Sequence, residues 1–350
     1  MRSSYDVNDV ELLLTDITGK VEPLPTAERE KLIQSGVHYC EMLPLEYKPT
    51  EKYMEIYEKM LNLCAKQNAD AVGVLADKII KKHGTSVVLV SLARAGIPIG
   101  ILLKRYIKMK YNVEVAHYAI SIIRGRGIDD VAMRYLLEQY NAKDLCFVDG
   151  WTGKGAINTQ LADALKDYHN VSNELAVVAD PAGVTELCGT HEDILIPSSC
   201  LNSTVSGLIS RTFLRKDIIG ENDYHGAVYY GELKDSDLSN EFLERIESEF
   251  SLNCESVKEK TFKDTGVDEV RRIQEKYGIS DINLVKPSIG ETTRVLLRRV
   301  PWLVLINEEN KEDAELKPII RLAEEKNVPV EFVKLEHYKA VGIIKELADA

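Results

Sequence analysis

An α/β fold with a parallel sheet, followed by a small α-β-α sandwich, is what this 350-residue sequence predicts. Three observations carry the expectation. Apolar runs of strand length alternate with amphipathic stretches between Val87 and Asp180, the pattern of strand–helix units over a parallel sheet. Two of those runs end in glycine-bearing loops that lead directly into helices. The alternation then restarts at Val267, after a polar, charge-mixed stretch over 251–266.

The elements follow in order. Residues 6–15 are expected to be helical. The spacing of Met54, Tyr57, Leu61, Cys64, Val72, Leu75 and Ile79 predicts a long helix over 54–82. Val87–Leu92 is a buried strand in composition, and a helix over 97–109 follows with Pro98 in its first turn. A strand over 113–123 ends at Arg124-Gly125-Arg126-Gly127, and Asp129-Asp130 opens a helix to about 140. An apolar run ends at Asp149, a helix extends to about 168, and Leu175–Asp180 forms the next strand. Residues 190–250 lack regular periodicity. In the last unit, helices are expected over 267–277, 290–299 and 316–326 and an acidic one over 308–315. Strands are expected over 282–285, 302–306 and 328–333. This unit has about 85 residues, an ordinary size for one domain.

Composition bounds the function classes. Hydrophobic residues make up 45% and charged residues 29%, as in a globular protein. The net charge of -12 repels nucleic acid overall, so an RNA contact needs a local basic patch. The sequence has no apolar run that spans a bilayer and no secretory apolar segment near Met1. Six cysteines without paired spacing (Cys40, Cys64, Cys146, Cys188, Cys200 and Cys254) read as reduced thiols of a cytoplasmic protein.

Two loops carry candidate chemistry. After Asp149-Gly150-Trp151, the residues Thr152, Gly153, Lys154, Gly155 and Ala156 offer backbone N–H groups, an ammonium and a helix start, the means of holding a phosphate. The Asp149 carboxylate can accept hydrogen bonds from sugar hydroxyls. A Walker-type loop fits poorly, since two residues rather than four separate Gly150 from Gly153-Lys154. Upstream, Arg94 offers a bidentate fork for a diphosphate, and Ala95-Gly96 allows close backbone approach. The bland alternatives are a ligand-free turn and a surface ion pair. The strand reading brings Arg94, Arg124, Arg126, Asp149 and Asp180 to one carboxyl edge, where ligands of parallel sheets bind.

Ser91–Gly100 and Phe147–Gly155 together resemble the pyrophosphate loop and the phosphoribosyl-pyrophosphate (PRPP) signature of type I phosphoribosyltransferases, with Gly150 in place of the second acid. Asp149-Gly150-Trp151-Thr152-Gly153-Lys154-Gly155 is similar to the divergent transferase-like proteins of bacterial tellurium-resistance and stress operons, which carry a pelota-type RNA-binding domain behind the first. The resemblance implies a phosphoribosyltransferase-like domain over 1–255 whose hood is built from the N-terminal segment and 190–250. A linker over 256–266 and an RNA-binding domain over 267–350 would follow. It implies transfer of a phosphoribosyl group from PRPP to a base-like acceptor, giving a nucleoside-like stress metabolite, with Mg²⁺ bound mainly through the ligand. Asp149, Arg94 and Lys154 would be catalytic. Ala95, Gly96, Gly150, Trp151, Thr152, Gly153, Gly155 and Ala156 would hold PRPP. Arg124, Arg126, Asp180 and Arg211 would form a flexible loop or meet the acceptor.

Ser288-Ile289-Gly290-Glu291-Thr292-Thr293-Arg294 resembles the Gly-x-Asn-Glu-x-x-Lys motif of kink-turn-binding ribosomal proteins and their pelota relatives, with support from 322–330 and 338–343. This implies a structured-RNA surface at Lys286, Ser288, Gly290, Glu291, Arg294 and Arg298. The bland reading of these cations is a solvated face balanced by the acidic stretch 308–315. A homodimer is compatible with the resemblance.

Two other functions stand beside the transferase. One is a regulator that senses PRPP or a nucleotide and binds RNA without catalysis. The other is a cysteine hydrolase pairing Cys200 or Cys40 with His38 or His191, although the sequence marks no oxyanion hole. His38-Tyr39-Cys40-Glu41 and Glu46 read equally as acceptor-binding or packing residues. Cys188-Gly189-Thr190-His191 has a spacing seen in metal sites, with Cys200 as its nearest further ligand type.

Overall fold

The computed structural model describes residues 1–46, 48–254 and 262–346. Most of the expected linker over 256–266 therefore lies outside the described residues.

Residues 6–15 are a turn and two short strands, β1 (Glu11–Leu12) and β2 (Thr15–Asp16), rather than a helix. The apolar residues Val10, Leu13, Leu14 and Ile17 are buried, and the segment bonds outward, Leu13 N–H donating to Ala119 O at 3.0 Å. Those long-range ladder bonds replace helical ones. After α1 (Thr26–Gln34), the long helix α2 (Glu51–His83) starts where Thr50 accepts from Tyr53 N–H and ends at Gly84. Tyr57, Leu61, Cys64, Val72, Leu75 and Ile79 form its buried stripe, as the spacing predicts.

The sheet units are β3 (Val88–Ala93), α3 (Gly96–Tyr111), β4 (Ala116–Ile123), β5 (Gly127–Ile128), α4 (Asp130–Gln139), β6 (Leu145–Trp151), α5 (Ala156–Ala164), β7 (Leu175–Ala179) and β8 (Cys188–Thr190). Strands run in the order β1-β4-β3-β6-β7-β8, all parallel, and β5 folds back antiparallel on β4. Gly96 sets how closely α3 sits on the sheet, since a Cβ there would lie 2.3 Å from Val148 O. Helix α5 stops short of the expected end near 168, giving way to a turn in which Tyr168 N–H donates to Leu165 O at 3.0 Å.

Residues 190–250 contain β9 (Gly226–Ala227), parallel to β2, and the helix α6 (Ser239–Glu247), which buries Phe242, Leu243 and Ile246. With the N-terminal segment they cover part of the sheet's carboxyl edge. Arg94 Nη1 donates to Ile209 O at 2.7 Å, and Leu214 N–H donates to Cys40 O at 2.9 Å.

The smaller unit comprises α7 (Gly266–Lys276), β10 (Val285–Pro287), α8 (Ile289–Arg298), β11 (Pro301–Asn307), α9 (Lys317–Glu325), β12 (Val330–Val333) and β13 (Ala340–Ile344). Its sheet order is β10-β13-β11-β12. The expected strand over 282–285 is a single tight turn, Ile282–Leu284, followed by β10. The acidic helix expected over 308–315 is one turn, Glu308–Asn310. There Asn307 caps Glu309 N–H, and Lys339 draws Asp313 and Glu315 into ion pairs.

One apolar cluster runs from α2 and α3 through Leu195 and Cys200 into Ile289, Leu296 and Ile319. The two sheets thus share a core, and each buried aliphatic in it contributes about 1.5–3 kcal/mol. Among the described residues no helix is long and apolar enough to cross a membrane.

Candidate functional site

The carboxyl edge of the parallel sheet collects the expected site residues, yet many are committed to structure. Asp149 lies two residues before the end of β6, half-buried, and its Oδ1 accepts from Gly150 N–H at 2.8 Å. Burial pushes its carboxyl up to about 7. Thr152 is fully buried, donates its hydroxyl to Asp180 and its N–H to Ala179 O, and so offers nothing to a phosphate. Asp180 is buried and receives, besides Thr152, the N–H groups of Val184 (2.7 Å) and Thr185 (2.9 Å). It ties the loop after β7 and is not free for an acceptor. Gly153 gives its carbonyl to Tyr338 Oη–H at 2.7 Å, Gly155 caps α5, and Ala156 opens it. Arg94 donates to Ile209 O and pairs with Glu46 at 3.5 Å, so its charge is already met. Ala95, Trp151, Lys154 and Ala156 line a cleft of about 320 Å³ against the smaller unit.

The residues expected to bind RNA face that same junction. Ser288 is buried and caps α8 by accepting Glu291 N–H at 3.3 Å. A Cβ on Gly290 would sit 2.7 Å from Ser199 Oγ, so a larger residue here would have to turn the Ser199 hydroxyl aside. Arg294 pairs with Glu291 at 2.7 Å. Arg298 donates to Asn202 Oδ1 (2.6 Å), Tyr53 Oη (2.8 Å) and Cys200 O. Lys286 is half-buried in the cleft. Asp193, which the sequence reading missed, is buried in the first unit and accepts Ile289 N–H (3.1 Å) and Lys339 N–H (2.9 Å). It completes the N-terminus of α8 from outside, a role with no local sequence signal.

Two cysteine–histidine pairs lie at this edge. In the first, His38 Nδ1 is 3.0 Å from Cys40 Sγ. The spacing is local: His38 precedes the turn Tyr39–Glu41 and its ring also accepts Cys40 N–H at 3.4 Å. With Nδ1 accepting Cys40 N–H the ring proton sits on Nε2, and the Cys40 thiol lies within reach of both Nδ1 (3.0 Å) and Leu214 O (3.6 Å). The loop is pinned from several sides. Arg211 donates to Tyr39 O (2.8 Å) and Met42 O (3.2 Å), with its guanidinium 5.3 Å from the Tyr39 ring centroid. Arg215 donates to Glu41 O at 3.3 Å, and Tyr39 Oη accepts Arg124 N–H at 3.0 Å just past β4. Burial pushes the Cys40 thiol up, and the nearby Arg126 guanidinium opposes that. Arg126 itself pairs with Glu41 at 2.8 Å. Burial also lowers Arg211 to about 10. Arg126 therefore stands near a thiol, Arg124 meets the same loop through its backbone N–H, and Arg211 is a strut rather than a ligand contact.

The second pair is Cys188 with His191, beside Asp180. The ligand atoms of the three lie within 4.8 Å of one another. The Cys188 sulfur is 3.4 Å from Nε2 and 3.7 Å from Nδ1. Near-equal distances place it alongside the ring and off the line of either N–H, where it neither receives nor gives a proton well. His191 Nδ1 meets Asp180 O at 3.1 Å, and the Asp180 carboxylate and Cys188 raise its pKa to about 10. Phe262 stands edge-on to the ring at 6.0 Å and stacks on His337. Cys200 belongs to neither pair. Its thiol is pushed up to about 11 by burial, and no histidine hydrogen-bonds it among the described residues.

Comparison with known proteins gives consistent results. The model of the "Tellurite-like stress resistance cysteine protease StiP" family matches residues 3–247, and that of the "PELOTA RNA binding domain" matches 264–346. A relative named cysteine protease StiP, from Acinetobacter baylyi, is 37% identical over 365 residues, covering 98% of this chain and 94% of its own. A solved hypoxanthine-guanine phosphoribosyltransferase from Bacillus anthracis is 17% identical and covers 35% of this chain and 71% of its own. Its TM-score of 0.26 is too low to carry an argument. The expected phosphoribosyl transfer, with PRPP as donor and a base as acceptor, is overturned by the family match, which names a hydrolase and not a glycosyltransferase. The expected stress-resistance family with a pelota domain behind it stands, while the phosphoribosyltransferase label for its first part does not. The chain belongs to the tellurite-like stress resistance cysteine protease StiP family.

Proposed function

We propose that this chain is a cysteine peptidase in which Cys40 is the nucleophile and His38 the base, joined to a domain that binds RNA. The observation that carries the reading is the 3.0 Å separation of His38 Nδ1 and Cys40 Sγ at the carboxyl edge of a parallel sheet. The names of the family and of the Acinetobacter relative support thiol-dependent peptide hydrolysis, and the PELOTA match supports RNA as a partner.

His38 Nδ1 takes the proton of Cys40 Sγ–H, and the sulfur attacks the carbon of a peptide carbonyl. Collapse of the tetrahedral adduct breaks the C–N bond, and His38 returns the proton to the departing amine. A water molecule, deprotonated by His38, then hydrolyses the thioester, releasing the acid and restoring the thiol. Cys40 is covered in the closed arrangement, with the tip of the β4–β5 loop against His38 and the Arg126–Glu41 pair beside it. Separating that partly exposed pair opens the way to the sulfur, and it lets Arg126 favour the thiolate more strongly.

The test is to trap the acyl-enzyme. Wild type is incubated with an unfolded-protein substrate, quenched in acid and mapped by mass spectrometry. Acylation at Cys40 that vanishes in His38→Ala supports the reading. Acylation confined to another cysteine refutes it.

A further inference from the structure

The cleft between β6–α5 and β10–α8 holds more positive charge than its own acids neutralise. Lys286 is half-buried there, and its ammonium makes no hydrogen bond or ion pair among the described residues. Lys154 spends its ammonium on two carbonyls, Ile282 O (3.0 Å) and Val285 O (3.2 Å), and on no carboxylate. Burial, and then the charge of Lys286, lowers Lys154 to about 8, and burial lowers Lys286 as well. Arg294 lines the same wall and is half-satisfied by Glu291 at 2.7 Å.

Cations gathered in a partly dry space repel one another and lose hydration, and an anion among them relieves both costs. The acids present do not fill that role. Glu291 is held by Arg294. Asp149 has its carboxyl raised to about 7, so that near neutrality a large share is uncharged and can donate a hydrogen bond to an anion. The volume of about 320 Å³ exceeds what a single small ion needs. The half-buried Trp151 offers a flat ring beside the cations, a surface on which a base can stack.

We propose that this cleft, built jointly by the two units, holds a phosphate group of an RNA chain between Lys154, Lys286 and Arg294, with an adjoining base against Trp151. The inference rests on the RNA-binding reading of the smaller unit, and it is independent of the Cys40 chemistry. It adds Lys154 and Trp151 of the first unit to the contact expected at Lys286 and Arg294.

Trp151 reports on the site. The chain has two tryptophans, so Trp302→Phe in the full-length protein leaves Trp151 as the sole indole emitter. In that background a single-stranded RNA oligomer and inorganic phosphate are each titrated, with Lys286→Gln and Arg294→Gln as variants. The Lys286 ammonium has no bond to lose, so its variant is expected to fold as the parent. The expected result is a saturable change in Trp151 emission with RNA, reversed by phosphate. RNA affinity should fall at least about tenfold in each variant, with a shallower dependence on log salt by about 0.7 per lost contact. RNA binding that is unchanged in both variants overturns the site and leaves the RNA reading intact. If phosphate binds through these residues and RNA does not, both the RNA reading and the RNA part of this proposal fall. In that case the phosphate chemistry stands, with a small phosphate ester as its source. No binding of either ligand removes both.

Discussion

The carboxyl edge of the parallel sheet is used differently over β4 and over β7. Over β4, a thiol and an imidazole nitrogen meet at 3.0 Å, their other hydrogen bonds are long (3.4 Å from Cys40 N–H, 3.6 Å to Leu214 O), and Arg211 and Arg215 bind the surrounding backbone carbonyls. Over β7, Cys188 and His191 are also neighbours, but the sulfur lies beside the ring, Asp180 is saturated by Thr152 and two N–H groups, and Phe262 closes the side. The same residue types therefore make the proposed nucleophile and base in one place and a packed joint in the other. What separates them is which hydrogen bonds are already taken, a property that composition and spacing do not display.

The largest effect that sharpens this contrast is expected at the base. His38→Ala should lower peptide hydrolysis by about 10²–10⁴-fold, measured as initial rate under substrate excess, whereas His191→Ala should change it by less than about threefold. Equal losses in the two variants would erase the distinction drawn between them.

A smaller effect is expected at the strut. Arg211→Met removes donors from Tyr39 O and Met42 O and its stacking on Tyr39. It should lower kcat about tenfold with little change in KM, because the loop that aims Cys40 loosens while other contacts to substrate remain. The loss of two buried hydrogen bonds should also cost about 1–3 kcal/mol of stability, read by urea denaturation.

On the β7 side, Asp193→Ala should act on docking and not on chemistry. It leaves Ile289 and Lys339 N–H groups buried without acceptors. The expected cost is about 2–3 kcal/mol, with the rate of hydrolysis per folded molecule preserved. Limited proteolysis near residue 262, together with an activity assay, separates these outcomes.

A separate effect is a pH dependence of stability. The Asp149 carboxyl titrates near 7 when folded and near 3.9 when unfolded, so the folded state binds the extra proton between those values. Its contribution to stability is complete below about pH 4 and is lost as pH rises through 7. Asp149→Asn should flatten that loss, seen as a Tm difference from wild type that grows between pH 5 and 8. A constant difference would place the titration elsewhere.

Much of the fold was readable because it rests on periodicity. The stripe of α2 and the apolar runs of β3, β4, β6 and β7 are local patterns that burial then confirms. The failures came where distant partners decide. Residues 6–15 have apolar spacing that suits a helix, yet their N–H groups pair with β4 and β9. The glycine-rich loop after Asp149 has phosphate-binding composition, yet Thr152 and Gly153 are spent on Asp180 and Tyr338, one of them in the other unit. His38 and Cys40 were visible as a pair of suitable residues. Nothing local distinguished them from Cys200, whose isolation from histidine depends on the tertiary path. The inward orientation of Ser288, Gly290 and Arg298 likewise depends on Asp193, Ser199 and Asn202, which no motif connects to them.

The most direct test of the account is a side-by-side time course of peptide hydrolysis by wild type, Cys40→Ser and Cys188→Ser, with folding checked by circular dichroism. The account predicts that Cys40→Ser falls to the uncatalysed background and Cys188→Ser stays within about twofold of wild type. Activity surviving in Cys40→Ser and lost in Cys188→Ser would contradict it and move the nucleophile to β8.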